Sequence, residues 1–338
     1  NLNPAGYQWD YRFQSDIQTE SLFFNSDIAF WNNLHLQGGV HWDNYHVHSR
    51  NAGLSLAAGT THGWYTSETS ALDYQVSVNY ETDWGLIPYF TYAKTKSLEG
   101  NKGGSIDPAL IIGKKYLSPS ALTEIGVKGN LLDGALYFAV DGYSQYRDQR
   151  DVLSGVIVEQ HNQGVEGELR YAVTHNFDLL ATVSYQKTML FGANTLLFNA
   201  AELGLPGQNI YGGEFLTSTV NIPSMAHGFE DTTIPRGAGS LFGTYRFDFD
   251  DSMLKLTAGA NIIGPTSGVY IGSGAIRNPG YVTLRGSASY SWDRYTLDLQ
   301  VENLTDQRYF YLGQTSYSEV AALPGLGREF HLRLAVKI

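Results

Sequence analysis

Apolar and polar residues alternate along much of this chain, and the period is two. Near the C-terminus Tyr295, Leu297, Leu299 and Val301 take every second place, with Thr296, Asp298, Gln300 and Glu302 between them. Phe330, Leu332, Leu334, Val336 and Ile338 repeat the pattern against Glu329, His331, Arg333 and Lys337. A strand sends successive side chains to opposite faces, so this period predicts strands with one apolar and one wet face. Applied along the chain, the rule predicts about thirteen strands. They are residues 11–30, with an irregularity near Ser21, then 34–43, 72–81, 86–97, 120–131, 135–147, 156–173, 177–185, 241–249, 254–262, 282–292, 295–308 and 329–338.

The connections between them are unequal in a regular way. Turns of a few residues follow Phe30, Thr82, Leu131, Thr174, Phe249 and Trp292, whereas 51–70, 98–119, 191–235, 265–279 and 309–327 are long. Only 148–151 breaks the alternation. Short turns on one rim and long loops on the other are the pattern of bacterial outer-membrane barrels, where the short turns face the periplasm. The predicted fold class is therefore all-β, a transmembrane antiparallel β-barrel, with the C-terminus at the periplasmic side and the long loops extracellular. Phe30, Trp31, Trp84, Phe247, Phe249, Trp292 and Tyr295 gather beside the short turns. Such residues can simply cover strand ends; combined with the loop asymmetry they read as an interfacial aromatic girdle. An odd strand count leaves one end of the chain at the outer rim. Closed single-chain barrels have even counts, so the chain is expected to be a piece of a larger barrel.

Composition agrees and removes some alternatives. Tyr 23, Gly 37 and only 16% charged residues suit strands and turns. The net charge of -11, with no basic cluster, argues against a nucleic-acid partner. Cys 0 excludes disulfides, thiolate metal sites and thiol nucleophiles. No apolar run approaches the roughly 18 residues of a membrane helix, so any crossing is made by strands. Nor does a basic segment followed by an apolar one, as in a secretory signal, open the sequence.

Several stretches, in order, resemble the TonB-dependent outer-membrane receptor family. Gly39-Val40-His41-Trp42-Asp43 is similar to that family's Gly-x-Arg-Tyr-Asp strand end, with His41 in place of Arg. The segment from Tyr116 to Ser120, followed by Thr123-Glu124-Ile125-Gly126-Val127-Lys128-Gly129, resembles its Leu-x-Pro and Glu-x-Gly-x-Lys segment. Gly164-Val165-Glu166-Gly167-Glu168 looks like its Gly-Val-Glu-x-Glu strand, and Asn278-Pro279-Gly280-Tyr281 like its Leu-Pro-Gly-Tyr entry to a late strand. Val301-Glu302-Asn303-Leu304-Thr305-Asp306-Gln307-Arg308-Tyr309 and Pro324-Gly325-Leu326-Gly327-Arg328 resemble the last two strands' flanks. A departure is Ile338, where the family usually closes on Phe or Trp.

The resemblance implies a barrel of about 22 strands preceded by a plug and a TonB-binding segment. Residues 1–338 would then be the C-terminal part of one receptor barrel domain, with the plug and the first strands outside it. It also implies energy-coupled uptake of a scarce solute, a ferric siderophore being the commonest class. The partners implied are outer-membrane lipid, that small-molecule ligand and the TonB complex, the last through the N-terminal region. No cofactor is implied. The rival readings are a structural or adhesive barrel anchoring a partner complex, and a passive porin.

Ligand contact is expected in the long loops, where aromatic and cationic groups would stack on and neutralise a planar anionic chelate. The candidates are Trp64 and Tyr65, Tyr211 and Phe215, Tyr270 and Arg277, and Tyr309, Tyr311 and Tyr317. For each one, loop packing is the plainer explanation. His41, His46, His48 and His62 have no ligand spacing and read as wet-surface histidines, so no metal site is expected. Asp248, Asp250 and Asp251 lack the glycine and the distant Glu of a calcium loop and read as a solvated turn. The charges from Arg147 to Asp151 read as an exposed tip, and Asn303-Leu304-Thr305 as an accidental glycosylation match. No Ser, His and acid spacing singles out a triad, so no enzyme is expected.

Overall fold

A computed structural model describes residues 12–31, 33–54, 56, 59–100, 104–150, 157–191, 196–199, 215–218, 228–270, 274–314 and 320–337. In chain order the strands are β1 (Phe13–Phe30), β2 (Leu34–Asn51), β3 (Tyr65–Tyr80), β4 (Leu86–Leu98), β5 (Leu117–Leu131), β6 (Leu136–Arg150), β7 (Ile157–Thr174) and β8 (Phe177–Phe191). The short β9 (Leu196–Asn199), β10 (Phe215–Ser218) and β11 (Phe229–Glu230) precede β12 (Gly237–Phe249) and β13 (Ser252–Ile263). Then come β14 (Thr266–Tyr270), β15 (Gly274–Asn278), β16 (Tyr281–Trp292), β17 (Tyr295–Glu302), β18 (Phe310–Gln314), β19 (Val320–Pro324) and β20 (Glu329–Val336). One helical turn, α1 (Pro108–Ile112), lies between β4 and β5.

Thirteen strands join edge to edge in the order β1-β2-β3-β4-β5-β6-β7-β8-β12-β13-β16-β17-β20, and β11 adds to β8. Near-sequential order follows from short turns, which let each strand return beside the one before it. The strand count matches the number that alternation predicts. Three of the long connections differ from expectation, because they carry hairpins of their own: β9 with β10, β14 with β15, and β18 with β19. A further difference is β1, whose register with β2 runs without a break through Ser21↔Asp43. The three successive apolar residues there need no bulge, since Phe23 simply stands on the polar face, edge-on to His41 with ring centroids 6.3 Å apart. Strand β17 stops at Glu302 rather than near Arg308, because Asn303 turns into the left-handed region at φ 47.

The contacts divide the chain into two compact units: Asn1–Asn79, Phe90–Thr123 and Gln145–Gln160, and then Tyr80–Tyr89, Glu124–Ser144 and His161–Ile338. In the first, the β1–β2 ladder between Ser21 and Phe30 sorts most residues by face, Phe23 excepted. Leu22↔Trp42, Phe24↔Val40, Ile28↔Leu36 and Phe30↔Leu34 share one face, and Ser21↔Asp43, Asn25↔Gly39 and Asp27↔Gln37 the other. Leu22 and Phe24 are each 70% exposed. A soluble protein rarely leaves so continuous an apolar face uncovered. The second unit repeats the sorting. An apolar row crosses five strands through Tyr245, Leu256, Ala288, Leu299 and Leu332, beside a polar row through Thr244, Thr257, Ser287, Gln300 and His331. Gly85 shows what a short turn demands. Its φ is +79, and a Cβ there would lie 2.5 Å from the Asn130 carbonyl oxygen, so only glycine fits.

The first unit holds its only sizeable core among the described residues at the long-connection end. Asp107 caps α1, its carboxylate accepting from the Ala109 N–H at 2.9 Å, and Pro108 opens the turn. The segment then lays Ile106, Leu110, Ile111 and Tyr116 against Tyr45, Val47 and Ala71. The Ser49 hydroxyl donates to the Ile106 carbonyl, and Tyr116 donates to Ser67 at 3.1 Å. The polar-parity side of β2 is therefore covered at this end by the β4–β5 connection.

Candidate ligand-binding surface

Three of the motifs read from the sequence converge in the second unit. Asn303 is 5% exposed and ties its loop together: its amide donates to the carbonyls of Gln307 at 2.9 Å and Leu326 at 3.0 Å, and its oxygen accepts from the Gln307 N–H at 2.8 Å. Asp306 accepts from the Arg328 N–H at 2.9 Å. Asn278, also buried, donates to the Phe310 carbonyl at 2.7 Å and to Thr266 at 3.2 Å. These bonds fix the base of the β18–β19 hairpin against the start of β16.

The result is a tyrosine cluster. Tyr309 stacks on Tyr281 with centroids 4.4 Å apart and 25° between planes, and Tyr311 meets Tyr309 edge-on at 5.4 Å. On Gly325, a Cβ would lie 2.2 Å from the Tyr309 ring, so the ring closes on bare backbone there. Tyr309 is thus held between Tyr281 and Gly325 and serves to position the group. Tyr311 is 53% exposed and is the open member of the group. Tyr281 shares its parity with Thr283, Arg285, Ser287 and Ser289, so the cluster stands above the polar face. The Tyr311 hydroxyl beside it, and then burial, push the Tyr309 phenol up to about 12, which keeps it neutral at any physiological pH.

Below the cluster the polar face is internally paired. Arg285 meets Glu302 at 2.6 Å, and Ser289 donates to Asp298 at 2.5 Å. Farther along, Tyr89 donates to Glu124 at 2.6 Å while the Lys128 ammonium lies 4.7 Å from the Tyr89 ring centroid. At the edge of β12 the Arg236 guanidinium donates to Glu230 and holds that carboxyl below the usual carboxylate range.

The remaining candidates are placed less favourably for a shared site. Trp64 is 53% exposed with the Arg50 guanidinium 4.8 Å from its ring centroid, the aromatic and cationic pairing sought. Arg50, however, has the parity of Trp42 and Val40, which is that of the apolar face. The Tyr65 hydroxyl accepts from the Thr61 N–H at 2.9 Å and holds its own loop. Phe215, Tyr270 and Arg277 fall on β10, β14 and β15, and only the backbone of these three residues is described. Tyr211 and Tyr317 lie outside the described residues. Sequence reasoning passed over Tyr281, although the Asn278-Pro279-Gly280-Tyr281 motif was in view; only its approach to Tyr309 reveals it.

The model of the family described as "TonB dependent receptor-like, beta-barrel" matches residues 1–304. No curated protein sequence matches the chain. Among solved structures, the siderophore receptor PiuA from Acinetobacter baumannii superposes with a TM-score of 0.71 at 18% identity, over 96% of this chain and 44% of that one. The ferric-catecholate import receptor Fiu from K12 E. coli, in its closed form, gives 0.67 at 16% identity, over 96% and 45%. The unliganded ferric citrate transporter FecA gives 0.68 at 13% identity, over 98% and 47%. At these identities the structures speak for the fold alone, and the chain spans less than half the length of each. The match of the family model over most of the chain, joined to the sorted faces of the sheet, places this protein in the TonB-dependent receptor β-barrel family.

Proposed function

We propose that this chain forms part of the wall of an outer-membrane receptor that imports a scarce ferric chelate of the siderophore class. The family is one of transport receptors of the outer membrane, which gives the frame. In this reading the apolar face meets lipid, the polar face lines the lumen and the long connections reach the cell exterior. A plug and a TonB-contacting segment in the rest of the protein would release the solute inward. The observation that carries the ligand class is the tyrosine cluster, an exposed aromatic ring held by two others above the polar face. Receptors that take iron chelates are among the structural neighbours, and an exposed phenol ring suits the flat aromatic arms of a catecholate.

The test is binding of a ferric tris-catecholate to the intact purified receptor, with ferric citrate as the comparison. Tyr311→Ala is expected to weaken catecholate binding about 2-fold to about 10-fold, the equivalent of one lost aromatic contact. Absence of binding by any ferric chelate, together with steady ion conductance of the intact protein in a planar bilayer, would replace this reading by a passive pore. Absence of both would favour a structural or adhesive barrel.

A further inference from the structure

His41, His46, His48 and His62 show no ligand pattern along the sequence, but the sheet brings His41 together with two carboxylates. His41 and Asp43 stand on β2 and Asp73 on β3, and one ligand atom from each lies within 4.8 Å of the other two. His41 Nε2 is 3.2 Å from Asp43 Oδ1. That is the separation of two ligands each about 2.1 Å from a shared ion at an angle of roughly 100°. Any pair wider than about 3.4 Å would close on the ion by side-chain rotation.

The surroundings are arranged as supports. Asp43 is 5% exposed, and its two oxygens accept from Ser21 at 2.5 Å and Tyr45 at 3.2 Å, which fixes the carboxylate plane. Asp73 accepts from the Lys96 N–H at 2.8 Å. Phe23 stands edge-on to the His41 ring. Hydrogen bonds of this kind orient metal ligands and are part of a working site. The His41 side chain is 45% exposed, so the ion would keep positions open for water or an incoming ligand. Two carboxylates and one imidazole suit a divalent first-row ion, and a chain with Cys 0 offers no thiolate for a softer one.

We infer that His41, Asp43 and Asp73 form a binding site for a divalent first-row transition metal ion on the polar face, beside the outer margin of the apolar row that ends at Leu22 and Trp42. Ion binding is read directly, so the outcome does not depend on which chelate the receptor imports. The intact receptor is stripped with a chelator and titrated with zinc by equilibrium dialysis and by calorimetry. Wild type is expected to bind one more zinc ion per chain at the affinity of the site than the variants do. Asp73→Asn and His41→Gln should each weaken that ion at least about 10-fold, and Ser21→Ala, which loosens only the support, by less. His46 stands on the opposite parity between Glu20 and Glu68, 3.8 Å from each, so His46→Gln should change nothing. Far-UV circular dichroism checks that each variant keeps its strand content. Folded Asp73→Asn and His41→Gln receptors that bind zinc as wild type does would overturn the site, as would a wild type that binds none.

Discussion

Replacing Asn303 by alanine tests whether one side chain holds the hairpin that presents Tyr311. The substitution removes three hydrogen bonds, two to the Gln307 and Leu326 carbonyls and one from the Gln307 N–H. Each contributes about 1 kcal/mol net. Alanine at φ 47 adds about 1 kcal/mol of backbone cost that asparagine largely avoids. Water reaches part of this loop, since Leu304 and its successors are exposed, and it recovers some of the loss. A local destabilisation of about 2–4 kcal/mol remains. Because the β16, β17 and β20 ladders do not use this side chain, the loss is expected in the loop and not in the sheet. The readout is amide hydrogen exchange at Gln307, which should accelerate about 30-fold to about 700-fold while amides of β17 keep their rates. Asn303→Gly keeps the left-handed backbone and should lose about 1 kcal/mol less. Unchanged exchange at Gln307 in Asn303→Ala, or equal loss throughout β17, would refute the local role.

Leu299→Arg places a charge in the apolar row and should cost about 2–4 kcal/mol in a bilayer if the site is near the midplane, whereas Gln300→Arg, one residue along on the polar face, should be tolerated. Urea unfolding of both variants in vesicles decides this, and equal destabilisation would reverse the face assignment. The Glu230 pair with Arg236 sets a pH dependence of definite sign. Its folded carboxyl is depressed below the usual 4.5, so its contribution is present above that value and is lost as pH falls through the folded one. After correction for intrinsic exchange, protection of the Asp231 N–H, which bonds the Thr188 carbonyl at 2.9 Å, should fall in acid in wild type and be low throughout in Glu230→Gln.

What the sequence determined by itself is the part of the structure that depends on one strand at a time. A period of two is a property of local backbone geometry, so Leu297, Leu299 and Val301 declare their shared face without knowledge of any neighbour. The thirteen-strand sheet and the placing of Phe30, Trp31 and Trp84 beside short turns were legible for the same reason. The boundary at Glu302 was not, because it depends on Asn303 taking a left-handed turn and closing on Leu326, far along the chain. Nor was the folding of Ile106, Leu110 and Ile111 onto β2, which gives a loop a core of its own. Among the candidate aromatics, only cross-strand register and loop closure separated Tyr311, exposed above the polar face, from Tyr65, which holds its own loop, and from Trp64, which pairs with Arg50 on the other parity. The same register set Asp73 beside His41 and Asp43. Tertiary structure decided these points because they are contacts between distant residues, and alternation constrains direction but not distance.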